Sequence, residues 1–199
     1  MIISVCSFKG GVAKSTTATH LAAYFQQKAP TLLVDGDINR SLMKWAARGN
    51  PPFKVVSEKQ GVKYAPSHTH IIVDTAARPS FEELKELVDG CDLLVVPTSP
   101  EAWAIDATLE MTGELNRLGA NYKILLTLAP PKPSKAEELV RDALTDAGLP
   151  LFKTSIRRLV VFQRAALNGL TVSQMSESYA GIAWSCYKAV GDEICGKKR

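Results

Sequence analysis

Short apolar runs alternate with longer amphipathic stretches along this chain of 199 residues. The runs lie at 2–7, 31–35, 70–74, 92–97 and 122–129. Because each is apolar on both faces, they are typical of parallel strands that helices cover on both sides. The stretches predicted to form helices lie at about 14–28, 40–48, 80–89, 102–118 and 135–147. The pattern therefore predicts an α/β fold with a doubly wound, mostly parallel sheet and helices on both faces.

Composition and charge describe an ordinary globular chain. Hydrophobic residues make up 46% of the sequence and charged residues 22%, which provides enough apolar material for a full core. No internal repeat or low-complexity linker interrupts the pattern, so residues 1–199 are predicted to form a single domain. The formal net charge of +4 is a mild basic excess that suits a polyanionic partner.

The cysteines and the first residues bear on the cellular compartment. The four cysteines show no CxxC spacing, which argues against a zinc site and favours free thiols in a reducing compartment. No basic-then-apolar leader opens the sequence, and no apolar run reaches the ~18 residues that cross a bilayer. We therefore expect a cytoplasmic protein with no membrane partner.

A glycine-rich segment, SFKGGVAKSTTA at 7–18, links the first predicted strand to the first predicted helix. Such a turn directs successive backbone N–H groups toward one concavity, and the helix N-terminus adds its positive end. Lys14 is placed to reach β- and γ-phosphate oxygens, and the Ser15 hydroxyl is placed to ligate Mg²⁺. Thr16 opens the helix, where its hydroxyl can meet an α-phosphate. The segment therefore predicts a site for a nucleoside triphosphate with Mg²⁺.

The same segment resembles the deviant Walker A motif of the ParA/MinD family of P-loop ATPases, which reads K-G-G-x-x-K-S. The resemblance implies that the nucleotide is ATP and that its phosphates lie against Lys9, Gly10, Gly11, Val12, Ala13, Lys14, Ser15 and Thr16. It also implies a homodimer on ATP binding, in which Lys9 reaches the partner's nucleotide and acts in catalysis with Lys14. The family usually has glycine where this chain has Ala13, and a Cβ there requires a negative φ.

Two more predicted strands end in carboxylates: LLVDGDIN carries Asp35 and Asp37, and HIIVD ends in Asp74. Carboxylates at the C-terminal ends of parallel strands face the crevice where ligands bind. Asp74 fits the Walker B pattern, in which the acid holds Mg²⁺ directly or through water. By resemblance, Asp37 is the catalytic aspartate that positions the attacking water, and Asp35 supports Mg²⁺ and its loop. The predicted metal-site residues are therefore Ser15, Asp35, Asp37 and Asp74.

Two later segments resemble the family's adenine-binding loops. They are TLAPPKP at 127–133 and the stretch 153–172. Pro130 and Pro131 could offer a stiff backbone edge to the base. The resemblance therefore adds these two prolines to the nucleotide site.

The densest basic cluster outside the C-terminal GKKR also lies in the stretch 153–172. Its predicted DNA-binding residues are Arg157, Arg158 and Arg164. In ParA-type proteins, basic residues near this place bind DNA without sequence preference in the ATP-bound dimer, and pairing two such surfaces multiplies weak phosphate contacts. Ion pairs or a solvated face are the alternative interpretation of these arginines. The tail at 197–199 is either frayed or part of the same surface.

The last segment, from about 173, is predicted to be helical, with an amphipathic stripe at spacings of three and four. MinD-like relatives end in a membrane-binding helix, which needs cations beside exposed hydrophobes. Here Asp192 and Glu193 interrupt the helix, so we expect it to pack on the domain.

Three function classes fit these residues. The first is a ParA-type ATPase that is nucleoid-associated, positions a cargo and is stimulated by a ParB-like or cargo adaptor protein. The second is a MinD-like regulator recruited to membranes. The third is a metabolic relative such as the nitrogenase iron protein, which needs cysteines on its switch loops; the loop after Asp74 has none. The resemblance favours the first class.

Overall fold

A six-stranded sheet forms the centre of the molecule. The computed structural model describes residues 1–131 and 135–196. The strands are β1 (Ile2–Val5), β2 (Thr31–Asp35), β3 (Lys54–Ser57), β4 (His70–Asp74), β5 (Leu93–Thr98) and β6 (Tyr122–Leu126). They lie in the order β3-β2-β4-β1-β5-β6, and every neighbouring pair is parallel. The predicted α/β fold with a doubly wound sheet is confirmed, and the sheet is parallel throughout.

Helices connect the strands and cover both faces of the sheet. They are α1 (Lys14–Gln26), α2 (Ser41–Ala46), α3 (Glu58–Tyr64), α4 (Phe81–Gly90), α5 (Ala102–Arg117), α6 (Ala136–Asp146), α7 (Val160–Leu167) and α8 (Ala180–Ile194). Two short 3₁₀ helices lie at Ala65–Ser67 and Val172–Gln174. One apolar cluster packs α1, α2 and α8 on one side of the sheet, and another packs α4, α5 and α6 on the other.

The sheet topology brings the predicted site residues to one edge. In a parallel sheet all strands point the same way, so the loops after β1, β2, β4, β5 and β6 leave from a common edge. The order β2-β4-β1 sets the ends of three strands side by side, and Asp35 pairs in register with Asp74. The glycine-rich loop follows the neighbouring β1.

Several predicted boundaries were wrong, and one strand was missed. The first strand ends at Val5 rather than residue 7, and the last ends at Leu126 rather than residue 129. The edge strand β3 was not predicted, because it has only four residues and is only partly buried. The C-terminal helix begins at Ala180 rather than near 173, after Tyr179 in a left-handed conformation.

The predicted packing of the C-terminal helix is present in the structure. Tyr187 of α8 is buried and hydrogen-bonds the Thr17 hydroxyl of α1 at 3.1 Å. Near the other end, the Tyr24 hydroxyl donates to Asp192 at 2.5 Å, and Gly191 lets the Tyr24 ring approach the α8 backbone. No helix among the described residues has the length and apolar character needed to cross a bilayer.

Candidate nucleotide site

The loop between β1 and α1 brings the Lys14 side chain to the end of β4. Lys14 is only 9% exposed. Its Nζ donates to the Thr75 carbonyl at 2.7 Å and lies 3.8 Å from Asp74 Oδ1. Gly10 and Gly11 have open space where a Cβ would stand, and Gly11 has a φ of +79°. A phosphate group could therefore approach the loop backbone closely.

Thr127 supports this loop from the end of β6. The Val12 side chain is buried, and its carbonyl accepts a hydrogen bond of 2.9 Å from the Thr127 hydroxyl. The same hydroxyl lies 3.0 Å from the Thr98 carbonyl, which joins the loop to the ends of β5 and β6. Thr127 was not among the predicted site residues, because no local motif marks a contact between residues 115 positions apart.

Ala13 has a left-handed backbone conformation, in which a Cβ is strained. Its φ is +61° and its ψ is +33°, immediately before α1. Its carbonyl accepts the first α-helical hydrogen bond, from the Thr17 N–H at 2.9 Å. The glycine usual at this place in the family would adopt this conformation without strain, whereas an alanine Cβ costs roughly 1–2 kcal/mol. The condition for an unstrained Cβ at this position, a negative φ, is therefore not met.

Ala13→Gly is expected to stabilise the protein by about 0.5–1 kcal/mol, because relief of the left-handed strain outweighs the added chain entropy of glycine. Urea unfolding measures this change. Ala143→Gly is the matched control, since Ala143 is exposed in the ordinary helical backbone of α6 and its replacement should destabilise by a similar amount. A loss of stability in Ala13→Gly would contradict the strain.

Asp35 and Asp37 organise the loop after β2 in different ways. Both Asp35 oxygens accept backbone N–H groups: Oδ1 from Asp37 at 3.2 Å and Oδ2 from Met43 at 2.9 Å. Asp35 therefore supports the loop, and its direct ligation of a metal stays a prediction. Asp37 is half-buried, and its Oδ1 accepts both the backbone and side-chain N–H groups of Asn39 at 2.8 and 3.0 Å.

Asp74 carries the most unusual electrostatics at this edge. Its carboxylate is fully buried, and neither oxygen has a partner with hydrogen-bond geometry among the described residues. Burial raises the pKa of Asp74 to about 6, while the Lys14 ammonium and the nearby Ser15 hydroxyl lower it. A buried carboxylate with free lone pairs is costly unless a cation satisfies it.

These donors fit a Mg²⁺ ion that keeps part of its coordination from phosphates and water. The free Asp74 oxygens and the half-buried Ser15 hydroxyl at the start of α1 supply hard oxygen ligands. The described residues contain no cluster of three or more His, Cys, Asp or Glu side chains able to hold a metal by themselves. The assignments of Ser15 and Thr16 to metal and α-phosphate stay predictions.

The two segments predicted to enclose adenine meet in the structure. Ala129 and Arg157 form a parallel bridge, in which the Ala129 N–H donates to Ile156 at 3.0 Å and Arg158 donates to Ala129 at 2.9 Å. A polar cavity of about 480 Å³ is lined by Pro130, Arg157 and six other residues. Pro131 is the last described residue of its loop, and the rest of TLAPPKP lies outside the described residues.

The predicted basic cluster divides into exposed and paired members. Arg157 and Arg158 are both exposed. Arg164 donates to Glu177 at 2.8 Å, so for this residue the structure has the ion pair that the sequence left open. The tail at 197–199 lies outside the described residues.

Lys9 is exposed beside the glycines, as a contact in trans would require. Two large apolar side chains are also exposed near this edge of the sheet, one in the loop after β2 and one at the start of α5. Ile38 is 89% exposed after β2, and Trp103 is 78% exposed in the first turn of α5, after β5. Trp103 was not among the predicted site residues.

Comparison with known proteins agrees with this geometry. A family model, the CobQ/CobB/MinD/ParA nucleotide binding domain, matches residues 3–172. The "Maintenance of carboxysome distribution protein A" of Gloeobacter kilaueensis is 30% identical, covering 97% of this chain and 93% of the relative.

Two solved structures have a similar fold at low identity. A putative plasmid partition protein of Borrelia burgdorferi bound to AMPPNP has a TM-score of 0.76 at 17% identity, with 99% of each chain covered. The MinD cell division protein of Aquifex aeolicus has a TM-score of 0.76 at 15% identity, covering 100% of this chain and 98% of its own. The family match spans the phosphate loop, the three strand-end aspartates and the bridged segments described above. This chain belongs to the ParA/MinD family of nucleotide-binding domains.

Proposed function

We propose that this protein is a ParA-type ATPase that binds Mg-ATP, closes as a nucleotide-sandwich dimer, and hydrolyses ATP to position a cargo on DNA. The observation that carries the proposal is the buried Asp74 carboxylate, which has no hydrogen-bond partner in the part of the chain that the structure describes and lies 3.8 Å from the Lys14 ammonium beside an open glycine loop. Mg²⁺ and a triphosphate would satisfy both charges at once.

Within this site each group has a distinct role in the proposed reaction. Lys14 and the loop N–H groups hold the β- and γ-phosphates. Ser15 and Asp74 would hold a Mg²⁺ ion, which would supply neutralisation of the phosphate charge. Asp37 orients the attacking water and accepts its proton. Because no described side chain here is poised as a nucleophile, we propose direct attack of water on the γ-phosphate.

Phosphate release with ATP, with and without Mg²⁺, tests the activity, and calorimetry with AMPPNP tests binding separately. We expect saturable AMPPNP binding that Mg²⁺ strengthens, and slow release that needs Mg²⁺. Absence of AMPPNP binding would overturn the nucleotide site itself. Binding without any hydrolysis, in the presence of DNA and adaptor, would overturn only the enzymatic part.

Exposed side chains support a second copy of the chain as the partner at this edge. The loops after β1, β2 and β5 start from the same edge of the sheet. Each is followed by one of these exposed side chains: Lys9 after β1, Ile38 after β2 and Trp103 after β5. Large apolar side chains exposed to this extent gain most from being covered by another surface. Two facing triphosphates also need cations from both subunits, which Lys9 would contribute.

Lys9→Ala is therefore expected to bind AMPPNP with nearly unchanged affinity but to remain monomeric, because its ammonium acts only on the partner's nucleotide. Sedimentation velocity with AMPPNP should show at least a tenfold weaker dimer, the effect of about 1.4 kcal/mol or more. Lys188→Ala, which removes an exposed lysine of α8, is the control and should dimerise normally. A dimer of wild-type strength in Lys9→Ala would contradict the contact in trans.

Two exposed arginines support DNA as the polyanionic partner. Arg157 and Arg158 are adjacent and exposed, and neither forms an ion pair with another described residue; the chain as a whole has a formal net charge of +4. Contacts of this kind bind phosphates without reading sequence. We propose that Arg164 contributes less, since it is already paired with Glu177.

The double variant Arg157→Glu/Arg158→Glu should bind DNA more weakly in the AMPPNP state. The slope of the logarithm of the binding constant against the logarithm of the salt concentration should be smaller in magnitude by roughly two per subunit. Fluorescence anisotropy over a salt series measures this slope. Lys85→Glu/Arg117→Glu, on exposed positions of α4 and α5, makes the same charge change elsewhere. Since Arg157 also lines the cavity with Pro130, Arg158→Glu alone checks the DNA role apart from the base site. Unchanged slopes would place the DNA contact elsewhere.

The name of the Gloeobacter relative supports a protein assembly as the kind of cargo, and we propose a separate adaptor protein that links cargo to ATPase and stimulates hydrolysis. A MinD-like membrane role has less support. The α8 residues Tyr187 and Val190 are buried against the domain, so the apolar face of this helix is not available for lipid.

A further inference from the structure

A cavity of about 210 Å³ lies between α1, α2 and α7, in the helical layer that also contains α8. Its walls are mainly apolar and aromatic, and they include Thr19, His20, Leu42, Trp45, Phe162 and Leu170. Ser15 and Thr16 line one end, next to the proposed phosphate site, and the cavity continues along the next turn of α1. Apart from Ser15 and Thr16, the residues that line it have no role in the nucleotide site proposed above.

Thr19 is a largely buried residue of the wall, 4% exposed. Its hydroxyl makes no hydrogen bond to another residue within the described ranges 1–131 and 135–196, and it is not one of the fully enclosed unpartnered atoms. The neighbouring His20 is different: its Nδ1 donates to the Thr16 carbonyl at 2.7 Å, and its Nε2 accepts from the Val172 N–H at 3.1 Å. Burial lowers the pKa of His20 to about 4, so its ring stays neutral at physiological pH. Both ring nitrogens of His20 are therefore used within the protein, whereas the Thr19 hydroxyl in the same wall is available to a ligand.

The walls are held apart by contacts at the far end of the cavity. The loop after α2 touches the loop after α7 backbone to backbone, where Gly49 meets Gly169 with no room for a Cβ on either. The Arg48 side chain also donates to the Ala166 carbonyl at 3.1 Å. These contacts fix the spacing of α2 and α7, so the cavity belongs to the packed structure.

The volume and chemistry of the cavity define a class of ligand. An engineered apolar cavity of about 150 Å³ binds benzene, so about 210 Å³ suits a slightly larger flat molecule. Trp45, Phe162 and the neutral His20 ring offer faces and edges for aromatic contact. The free Thr19 hydroxyl offers one hydrogen bond, which an apolar hydrocarbon would leave unmade.

We propose that this cavity is a binding site for a small fused-ring heteroaromatic molecule whose ring N–H donates to Thr19 Oγ1. The site is separate from the adenine cavity beside Pro130 and Arg157, and it lies against both the phosphate-loop helix α1 and the helix α2 that follows the Asp37 loop. A ligand there would fix the position of α2 relative to α1.

Indole is the first probe, and benzothiophene, which has the same shape but no N–H, is its partner. Calorimetry on the nucleotide-free protein should give saturable indole binding, with a dissociation constant on the order of 0.1–1 mM for so small a ligand. Thr19→Val keeps the shape of the side chain and removes the hydroxyl. It should weaken indole binding about three- to tenfold and leave benzothiophene binding unchanged.

Ala166→Leu, at an exposed position on the rim of the cavity, should narrow it and weaken binding of both probes, whereas Leu167→Ala, at an exposed neighbour outside the lining, should bind both normally. AMPPNP binding by each variant reports that it is folded. Failure of both probes to bind wild type at their solubility limits would overturn the proposal. So would indole binding that ATP competes for and that both Ala166→Leu and Thr19→Val leave unchanged, because that result would put indole in the nucleotide site.

Discussion

Replacing Asp37 by alanine is expected to slow ATP hydrolysis by about 10²–10⁴-fold while leaving ATP binding nearly intact. The residue stands on the loop after β2, half-buried, and Asn39 holds one of its oxygens by two hydrogen bonds. It is not in an ion pair with Lys14, whose partners are Thr75 and Asp74. Loss of Asp37 therefore removes the proposed orienting group for water and leaves the phosphate contacts in place. The ATP dimer should accumulate as a result.

Single-turnover hydrolysis and sedimentation with ATP measure the two parts of this prediction. Asp37→Asn is the informative second variant, because it keeps the size of the side chain but cannot accept a proton from water. Asp106→Ala, at an exposed acid of α5, is the control for loss of one negative charge. If Asp37→Ala hydrolysed ATP at the wild-type rate, the water-positioning role would be wrong. If it failed to bind ATP, Asp37 would belong to the binding contacts.

The sequence alone was sufficient for the order of most elements, because buried parallel strands leave a strong local signal. The runs that became β2 and β4 were predicted with their observed bounds, and each ends in the aspartate assigned to the site. The edge strand β3 was not found, since a short half-exposed strand carries little apolar patterning. Strands and motifs with a strong local pattern were thus predictable. The strand β3, which is stabilised mainly by its pairing with β2, was not.

The supporting contacts of the site were beyond sequence reasoning for the same reason. Thr127 reaches Val12 across 115 residues, and Thr75 offers its carbonyl to Lys14 across 61. Neither threonine belongs to a spaced pattern, so only the folded sheet brings them to the loop. Ala13 shows the opposite failure: the motif located it correctly, but its positive φ could be read only from the backbone.

Removing the Lys14 side chain with Lys14→Ala should weaken AMPPNP binding by about 100-fold or more. The lysine is nearly buried at the strand edge, where charge-assisted hydrogen bonds to phosphate oxygens are strong and little screened. Calorimetry with Mg-AMPPNP measures the loss. Lys14→Met is the matched variant, because it keeps most of the apolar stem and removes only the charge. Binding within threefold of wild type in both variants would contradict the phosphate role.

Lys14 also has an effect on stability that pH separates from its role in binding. Its ammonium lowers the pKa of Asp74, which burial nevertheless raises to about 6. A raised carboxyl pKa means that the folded state keeps a proton that the unfolded chain releases, so stability falls as pH rises from about 4 through 6. Without Lys14 the pKa of Asp74 should rise further.

The difference in the free energy of unfolding between wild type and Lys14→Met, measured by urea unfolding without nucleotide, should therefore widen from pH 5 to pH 8. Adding Asp74→Asn should remove the pH-dependent part of that gap, because the buried charge that Lys14 compensates is then gone; a gap that stayed constant with pH in both backgrounds would show that the two side chains are not coupled.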